Sequence, residues 1–290
     1  MKAISGHTRA FGLLGHPVRH TLSPAMHNAA FEALGMDAVY LAFDVPPERV
    51  MVTLEALAGL GCGGINLTVP LKEVAFQGLT DLDDSARLLG AVNTVQFTPG
   101  GMRGYNTDGI GFAQAIEEAF GAGIKGWKVF VLGCGGAGRA VALTCARQGA
   151  RRIALADADL ARAQRLAVEI SAAAPSITVE TSGANPDTWS QVAQASDLVI
   201  QATPLGMHAG DQSPLPQESF RRGQMVFDLV YNVPDTDCVR RALAGGARAV
   251  NGLGMLLHQG TAALTIWTGK PAPVDVMRKT LEEALYAPKS

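Results

Sequence analysis

Short apolar runs alternate with amphipathic segments along the first hundred residues of the chain. The runs FGLLG (11–15), VYLAFDV (39–45) and GGINLTV (63–69) have the length and composition of buried strands, and the segments between them predict helices that end at glycines. Strands that alternate with helices in this way are typical of an α/β unit whose sheet is mostly parallel.

A second series of the same kind begins near Trp127. Its predicted strands are KVFVLG (128–133), ARRIALAD (150–157), SDLVIQATP (196–204), QMVFDLVYN (224–232) and ARAVNGLG (247–254). The segment from Met255 to Leu285 then predicts two helices, which are broken at GKPAP.

The first strand of the second series leads into a glycine-rich turn, Gly133-Cys-Gly-Gly-Ala-Gly138. This G-x-G-x-x-G pattern follows a strand, opens a helix and precedes a strand that ends in an acid, which is the context of a dinucleotide-binding turn. Gly133 permits the tight turn, Gly135 lets a pyrophosphate approach, and Gly138 lets the helix pack on the strand. Gly136 and Ala137 belong to the helix N-terminus, whose free N–H groups attract phosphate. A purely structural turn is the alternative.

The acid at the end of the second strand is Asp157. A carboxylate at this point can accept hydrogen bonds from both ribose hydroxyls and repels a 2′-phosphate. A phosphate-preferring site would need an arginine nearby, and the next one, Arg162, comes five residues later, on the predicted helix. The sequence therefore predicts NAD rather than NADP as the favoured cofactor. The alternative is that Asp157 or Asp159 caps the following helix.

The two series and the turn together predict an α/β fold with two domains. We expect a substrate-binding catalytic domain with a mostly parallel sheet over residues 1–108, and a Rossmann-type dinucleotide-binding domain over residues 109–252. The helices of residues 253–290 are expected to return and pack against the first domain.

Composition excludes several kinds of partner and metal site. The 290 residues, 48% of them hydrophobic, can bury a large core, and a formal net charge of −2 gives no basic face for nucleic acid. The cysteines, Cys62, Cys134, Cys145 and Cys238, have no CxxC spacing, so we expect neither a metal site nor a disulfide framework. Without a signal segment or an apolar run of about 20 residues, the sequence predicts a cytoplasmic protein with no membrane partner. It leaves the choice between monomer and homodimer open.

Polar side chains are concentrated at the predicted strand ends and loops of the first domain. They lie in HTLSP (20–24), NLT (66–68), Lys72, NT (93–94) and NTD (106–108). Each has an ordinary structural interpretation: Ser23 can cap a helix, asparagines can form turns, and His27 is more often a satisfied buried histidine than a catalyst. No single residue of this set establishes a site.

Taken together, these segments resemble the motifs of the shikimate/quinate dehydrogenase family, in the same order. GHPVRHTLSPAMHN (15–28) is similar to the family's substrate-carboxylate loop, and NLTVPLK (66–72), GAVNT (90–94) and YNTDGIGF (105–112) are similar to three further motifs. GCGGAGRA (133–140), ATPLGM (202–207), DLVYN (228–232) and NGLGMLLHQ (251–259) extend the resemblance over almost the whole chain. The segment Asp157-Ala-Asp159 is closest to the NAD-preferring quinate/shikimate branch.

The resemblance implies reversible NAD(P)-dependent oxidation of a ring hydroxyl of shikimate, quinate or both, giving 3-dehydroshikimate or 3-dehydroquinate. It implies Lys72 and Asp108 as the catalytic pair. The substrate-binding residues that it implies are Thr21 and Ser23 for the carboxylate, Thr68, Asn93 and Gln259 for the ring hydroxyls, and Tyr231 from the nucleotide domain. The cofactor-binding residues that it adds are Thr203, Leu229 and Gly252, the last two facing the nicotinamide.

The catalytic pair suits the chemistry of alcohol oxidation, in which the hydroxyl proton leaves as the carbonyl forms. A lysine beside that oxygen can take the proton when it is neutral, or stabilise negative charge when it is protonated, and Asp108 can orient both groups. Thr21 stands where the family commonly has serine, and its extra methyl narrows the carboxylate pocket. The choice between shikimate and quinate stays open, as does the role, either aromatic amino acid biosynthesis or quinate catabolism. The alternatives are an aminated shikimate analogue as substrate and, in another class, a non-catalytic NAD-sensing module.

Overall fold

The computed structural model of the chain describes residues 4–208 and 210–287. It divides into two compact units. Unit 1 consists of residues 1–111 and 257–290, and unit 2 consists of residues 112–256. Both units are α/β, and each has a six-stranded sheet. The predicted two-domain α/β fold is confirmed, and the C-terminal residues do belong to the first unit.

The elements of unit 1 follow one another closely along the chain. They are β1 (Arg9–Gly15), α1 (Ser23–Ala33), β2 (Ala38–Asp44), a short 3₁₀ turn (Pro47–Arg49), α2 (Val50–Gly59), β3 (Gly64–Leu67), α3 (Leu71–Gly78), β4 (Asp81–Leu82), α4 (Asp84–Leu89), β5 (Thr94–Thr98) and β6 (Gly101–Tyr105). Helix α5 (Asp108–Phe120) starts in this unit and continues into unit 2.

The sheet of unit 1 has the strand order β2-β1-β3-β5-β6-β4. Strand β1 pairs in parallel with β2 and β3, while β5 runs antiparallel to both β3 and β6. The sequence interpretation missed the hairpin of β5 and β6, because TVQFTPGGMRGY mixes polar residues and glycines instead of forming one apolar run. This hairpin delivers two of the predicted site segments, GAVNT and YNTD, to the same end of the sheet.

The elements of unit 2 form a doubly wound sheet. They are β7 (Lys128–Leu132), α6 (Gly136–Arg147), β8 (Arg152–Ala156), α7 (Leu160–Ala173), β9 (Thr178–Ser182), α8 (Pro186–Gln194), β10 (Leu198–Gln201), β11 (Met225–Asp228), α9 (Asp237–Ala244) and β12 (Arg248–Val250). All strands are parallel, in the order β12-β11-β10-β7-β8-β9. The interpretation missed β9, since TVETS is polar and lies at the edge of the sheet.

Two long helices close the chain, α10 (Leu253–Thr268) and α11 (Val274–Tyr286). Within unit 1, Trp267 of α10 stands beside Phe11 of β1, with ring centroids 5.5 Å apart, and its Nε1 donates to the carbonyl of Val95 at 3.0 Å. Packing of this kind buries large aromatic area. It explains why the end of the chain belongs to the first unit. No helix within the described residues is long and apolar enough to cross a bilayer.

Candidate active site

Lys72 and Asp108 lie together in unit 1. Lys72 is the second residue of α3, which begins four residues after the end of β3, and Asp108 is the first residue of α5. The Lys72 Nζ donates to Asp108 Oδ2 at 2.7 Å, and the two side chains are 26% and 16% exposed. A carboxylate at a helix N-terminus is favoured by the helix dipole. The pair is therefore a partly enclosed charge pair that a small molecule can still reach.

Asn93 forms a hydrogen bond with the second oxygen of the Asp108 carboxylate. Its Nδ2 donates to Asp108 Oδ1 at 2.9 Å. Its Oδ1 accepts the backbone N–H of Thr107 at 2.8 Å and the hydroxyl of Thr94 at 2.9 Å. The amide is thus held from both ends, with its donor end towards Asp108. The carboxylate in turn cannot rotate without losing a hydrogen bond to either Lys72 or Asn93.

The predicted carboxylate-binding hydroxyls are also neighbours. Thr21 Oγ1 donates to Ser23 Oγ at 3.2 Å, and the backbone N–H of Ser23 donates to Thr21 Oγ1 at 3.2 Å. The expectation that Ser23 caps α1 is wrong, because Ser23 is the first helical residue and the cap position is Leu22, whose side chain cannot accept a hydrogen bond. Its hydroxyl is consequently not used to satisfy the helix end.

The other predicted substrate residues have the following positions. Thr68 directly follows β3 and its backbone bonds to Leu14 and Leu71, at 2.9 and 2.8 Å. Gln259 lies on α10 within unit 1. Tyr231 belongs to unit 2, where 38% of its surface is exposed. Their roles towards a substrate stay predictions.

The glycine-rich turn of unit 2 combines crowded and open positions. Gly133 has φ +100°, and a Cβ there would lie 2.7 Å from the backbone of Ala202 and 2.8 Å from that of Thr203. A Cβ on Gly138 would overlap the carbonyl oxygen of Gly133.

Gly135 and Gly136, in contrast, have no atom within 4 Å of where a Cβ would be. These two glycines and Ala137 are exposed at the start of α6. The open space lies over a helix N-terminus, which fits the pyrophosphate of a dinucleotide.

Asp157 is more strongly engaged than the sequence indicated. It is 6% exposed, its Oδ2 accepts the backbone N–H of Cys134 at 2.7 Å, and its Oδ1 accepts that of Asp159 at 2.8 Å. The carboxylate therefore braces the glycine-rich turn against the end of β8. Arg162 Nη1 also lies 3.4 Å from both oxygens. The capping role falls to Asp159, which accepts the backbone N–H of Arg162.

Two further predicted cofactor residues, Leu229 after β11 and Gly252 after β12, lie close together. A Cβ on Gly252 would overlap the carbonyl oxygen of Leu229, so only glycine fits this approach. Asp228 closes β11, is fully buried, and accepts the hydroxyl of Thr236 at 2.6 Å and the backbone N–H of Val230 at 3.0 Å. Burial raises the pKa of Asp228 to about 6, which these two hydrogen bonds only partly offset.

His27 does not have the satisfied environment that the sequence interpretation assigned to it. The ring is fully buried and stacks on Tyr40, with centroids 4.5 Å apart, and neither ring nitrogen has a hydrogen-bond partner among the described residues. Burial lowers its pKa to about 3, so the ring is neutral. Its position in an aromatic cluster gives it no role as an acid or base at neutral pH.

The sequence interpretation did not single out Tyr40, although Tyr40 belongs to the same buried polar system. Its hydroxyl donates to Asn66 Oδ1 at 2.7 Å. A signal was present: alternation in VYLAFDV places Tyr40 on one face of the strand, where a buried tyrosine needs a polar partner. Which partner it has depends on how β2 and β3 are placed in the sheet and could not be read from the local sequence.

Two α/β units, the second with a Rossmann-type sheet and a glycine-rich turn, define the class of nicotinamide-dinucleotide-dependent oxidoreductases. Among sequence families, the model of the shikimate dehydrogenase substrate binding domain matches residues 13–95. The model of the shikimate 5′-dehydrogenase C-terminal domain matches residues 252–282.

Individual proteins agree with the family models. The shikimate dehydrogenase (NADP(+)) of Methanopyrus kandleri is 43% identical over 98% of both chains. The shikimate 5-dehydrogenase structure from Listeria monocytogenes, in complex with shikimate and NAD, has a TM-score of 0.91 at 33% identity, over 97% of this chain and 99% of that one. The quinate dehydrogenase of Corynebacterium glutamicum in complex with NAD has a TM-score of 0.86 at 32% identity, over 94% and 98%. The chain belongs to the shikimate dehydrogenase family.

Proposed function

We propose that this protein reversibly oxidises a ring hydroxyl of shikimate, quinate or both, with a nicotinamide dinucleotide as the hydride acceptor. The observation that carries the proposal is the Lys72–Asp108 pair, in which the carboxylate is held by Asn93 and the Lys72 side chain is partly exposed. Secondary-alcohol oxidation requires a group at this position that handles the hydroxyl proton. The names of the relatives support a cyclic hydroxy acid as substrate.

The proposed roles of the residues towards the substrate are as follows. Thr21 and Ser23 donate hydroxyl hydrogen bonds to the substrate carboxylate. Lys72 holds or takes the hydroxyl proton at Nζ, while Asp108 fixes the direction of that nitrogen. Thr68, Asn93, Gln259 and Tyr231 are proposed to contact the ring.

For the cofactor, the residues that would hold it are the glycine-rich turn from Gly133 to Gly138, Asp157, Thr203, Leu229 and Gly252. A bound nicotinamide supplies the acceptor for the hydride that leaves the alcohol carbon. The open positions Gly135 and Gly136 support binding of its pyrophosphate at the start of α6.

We further propose that NAD is favoured over NADP. The support is the Asp157 carboxylate at the end of β8, since a negative charge there repels a 2′-phosphate. Arg162, 3.4 Å from both carboxylate oxygens, works against this preference because a guanidinium can bind phosphate. The relative from Methanopyrus kandleri is named for NADP(+), so the preference needs its own measurement.

The test is a matrix of kcat/KM values for shikimate and quinate against NAD and NADP. Higher kcat/KM with NAD is expected, and Arg162→Ala should change the ratio of the two cofactors, mainly by lowering the use of NADP. Lack of turnover with every pair would overturn the function, whereas a higher value with NADP would overturn only the cofactor preference. An aminated shikimate analogue belongs in the same panel, and a clear preference for it would change the substrate but not the chemistry.

A further inference from the structure

A continuous series of side-chain hydrogen bonds connects Tyr40 of β2 to the Lys72–Asp108 pair. The backbone of Tyr40 is in turn held by Asn28 of α1, the helix that begins with Ser23. Tyr40 is thus the point at which the helix that carries a predicted carboxylate-binding hydroxyl meets the interior of the unit.

Beyond Tyr40 the series crosses the sheet. The Tyr40 hydroxyl donates to Asn66 Oδ1 at 2.7 Å, and Asn66 Nδ2 donates to Thr94 Oγ1 at 3.0 Å. Thr94 donates to Asn93 Oδ1 at 2.9 Å, and Asn93 Nδ2 donates to Asp108 Oδ1 at 2.9 Å. Every donor points the same way, towards the carboxylate, which is the arrangement in which hydrogen bonds polarise and strengthen one another.

The middle of this series is closed to solvent. Tyr40 and Thr94 are 0% exposed, Asn93 is 2% exposed and Asn66 is 5% exposed. Burial raises the pKa of Tyr40 well above its usual value, so its hydroxyl stays protonated and remains a donor. A buried group that lost its partner here could not form a hydrogen bond with bulk water instead. The neighbouring hydrogen bonds of the series would weaken as a result.

The fold also fixes Tyr40 relative to Ser23. Asn28 Nδ2 donates to the carbonyl of Tyr40 at 3.0 Å, and Asn28 Oδ1 accepts its backbone N–H at 2.8 Å. Asn28 and Ser23 lie on the same helix, α1, so this two-way bond pins β2 to the helix that begins with Ser23. The backbone of Tyr40 therefore has a defined place relative to α1.

We propose that Tyr40 is a positioning residue, which links α1, the helix that begins with the predicted carboxylate-binding Ser23, to the amides that orient Asp108. This inference rests on the proposed function. Tyr40 does not touch the reacting atoms: α1 holds its backbone and its hydroxyl holds Asn66, so that the two ends of a cyclic hydroxy acid meet groups already in register.

The direct test is Tyr40→Phe, which keeps the ring and removes only the hydroxyl. The Asn66 acceptor is then buried without its donor, and we expect kcat/KM for the cyclic acid to fall about 10- to 100-fold. The loss should include a higher KM for the acid, while the KM for the dinucleotide stays within about twofold of the wild type. A change that merely lowered the folded fraction would not raise the KM of one substrate alone.

The matched control is His27→Phe, in the ring stacked on Tyr40. His27 makes no hydrogen bond in this series, so the control should retain wild-type kinetics. A double-mutant cycle with Thr94→Val adds a second readout: Tyr40→Phe should cost less in the Thr94→Val background, because the route from Tyr40 to Asn93 Oδ1 is already interrupted. Fully additive losses would overturn the proposal.

A second variant that interrupts the series keeps the proposal testable if the Tyr40→Phe protein does not fold. Thr94→Val removes the hydroxyl that joins Asn66 Nδ2 to Asn93 Oδ1 and leaves only the bond from Asn66 Nδ2 to the Asn93 carbonyl, at 3.1 Å. It should give the same selective rise in the KM of the acid. Thr94→Ser keeps the hydroxyl and should restore kcat/KM to within about threefold of the wild type. Wild-type kinetics in folded Tyr40→Phe or Thr94→Val would overturn the positioning role, whereas an inactive wild type would overturn the proposed function instead.

Discussion

The two units bury carboxylates for different purposes. Asp108 of unit 1 has a lysine on one oxygen and an amide on the other, and its side chain keeps 16% exposure. Asp228 of unit 2 is sealed, and its donors are the neutral hydroxyl of Thr236, a backbone N–H and the amide of Gln201. In unit 1, polar side chains thus surround a charge pair that is still partly exposed. In unit 2, the carboxylate of Asp228 instead holds backbone in place.

The same contrast extends to Asp157 and His27. Asp157 of unit 2 also accepts backbone N–H groups, from Cys134 and Asp159, and so braces the turn that we expect to bind the dinucleotide. Neither ring nitrogen of His27 in unit 1 has a hydrogen-bond partner among the described residues, and burial keeps the ring neutral. Substitution of Lys72 or Asp108 should therefore lower activity directly. Substitutions in the glycine-rich turn should instead lower stability or weaken binding of the dinucleotide.

The largest effect should come from Lys72→Met. Methionine fills similar volume but cannot handle the hydroxyl proton, so kcat/KM should fall about 10²- to 10⁴-fold. The melting temperature should change little, because the Lys72 side chain is 26% exposed and Asp108 keeps its bond to Asn93. Steady-state kinetics and thermal unfolding measure both. Lys279→Met, on an exposed face of α11, is the control, and equal kinetics for the two variants would exclude Lys72 from the chemistry.

The next-largest effect is on stability at acid pH, which should be higher in His27→Phe than in the wild type, relative to neutral pH. The folded pKa of His27 is about 3, against an ordinary value of 6.5, so the unfolded chain takes up a proton that the folded ring refuses. Stability from the neutral ring is present above pH 6.5 and is lost as the pH falls towards 3. Between pH 7 and pH 4.5 the wild type should lose about 3 kcal/mol relative to His27→Phe. Urea unfolding at both pH values checks this, and parallel losses in the two proteins would contradict it.

Much of this comparison could be predicted from sequence, and the rest could not, for physical reasons. The glycine-rich turn was predicted from its pattern between a strand and a helix, whereas the roles of Lys72 and Asp108 were predicted from the resemblance of their motifs to the family. The links between Tyr40, Asn66 and Asn93 cross the sheet between separate elements, so they depend on register. Burial is the second reason: the residues around His27 do not reveal that neither ring nitrogen has a hydrogen-bond partner in the part of the chain that the structure describes.

The third effect runs in the opposite direction with pH. The folded pKa of Asp228 is raised from 3.8 to about 6, so the folded state binds a proton that the unfolded chain has released. Its contribution to stability is complete below about pH 4 and is lost as the pH rises through 6. Relative to Asp228→Asn, which does not titrate, the wild type should lose at most about 3 kcal/mol between pH 4 and pH 7.

Chemical unfolding of both proteins across that range measures the difference. The control is Asp235→Asn, an exposed acid of the same unit, and it should follow the wild type. If Asp228→Asn also follows the wild type at every pH, the carboxylate is charged in the folded state throughout. In that case the contrast between Asp228 and Asp108 would disappear.

The smallest expected effects concern the glycine-rich turn. They distinguish a glycine that the backbone conformation requires from a glycine that leaves space for the dinucleotide. Gly138→Ala places a Cβ on the carbonyl oxygen of Gly133, and relief requires a backbone shift that should cost about 1–3 kcal/mol of unfolding free energy. Gly135→Ala meets no atom within 4 Å and has φ −70° and ψ −172°, which alanine adopts readily, so its stability should equal or slightly exceed that of the wild type.

Binding should nevertheless weaken in Gly135→Ala, because the new methyl enters the space over the start of α6. We expect the Kd of the dinucleotide to rise about tenfold, measured by titration calorimetry, with no change in melting temperature. A folded Gly135→Ala protein with wild-type affinity would mean that the pyrophosphate does not approach at this turn. The turn would then be structural only, and Asp157 would brace a fold rather than a binding site.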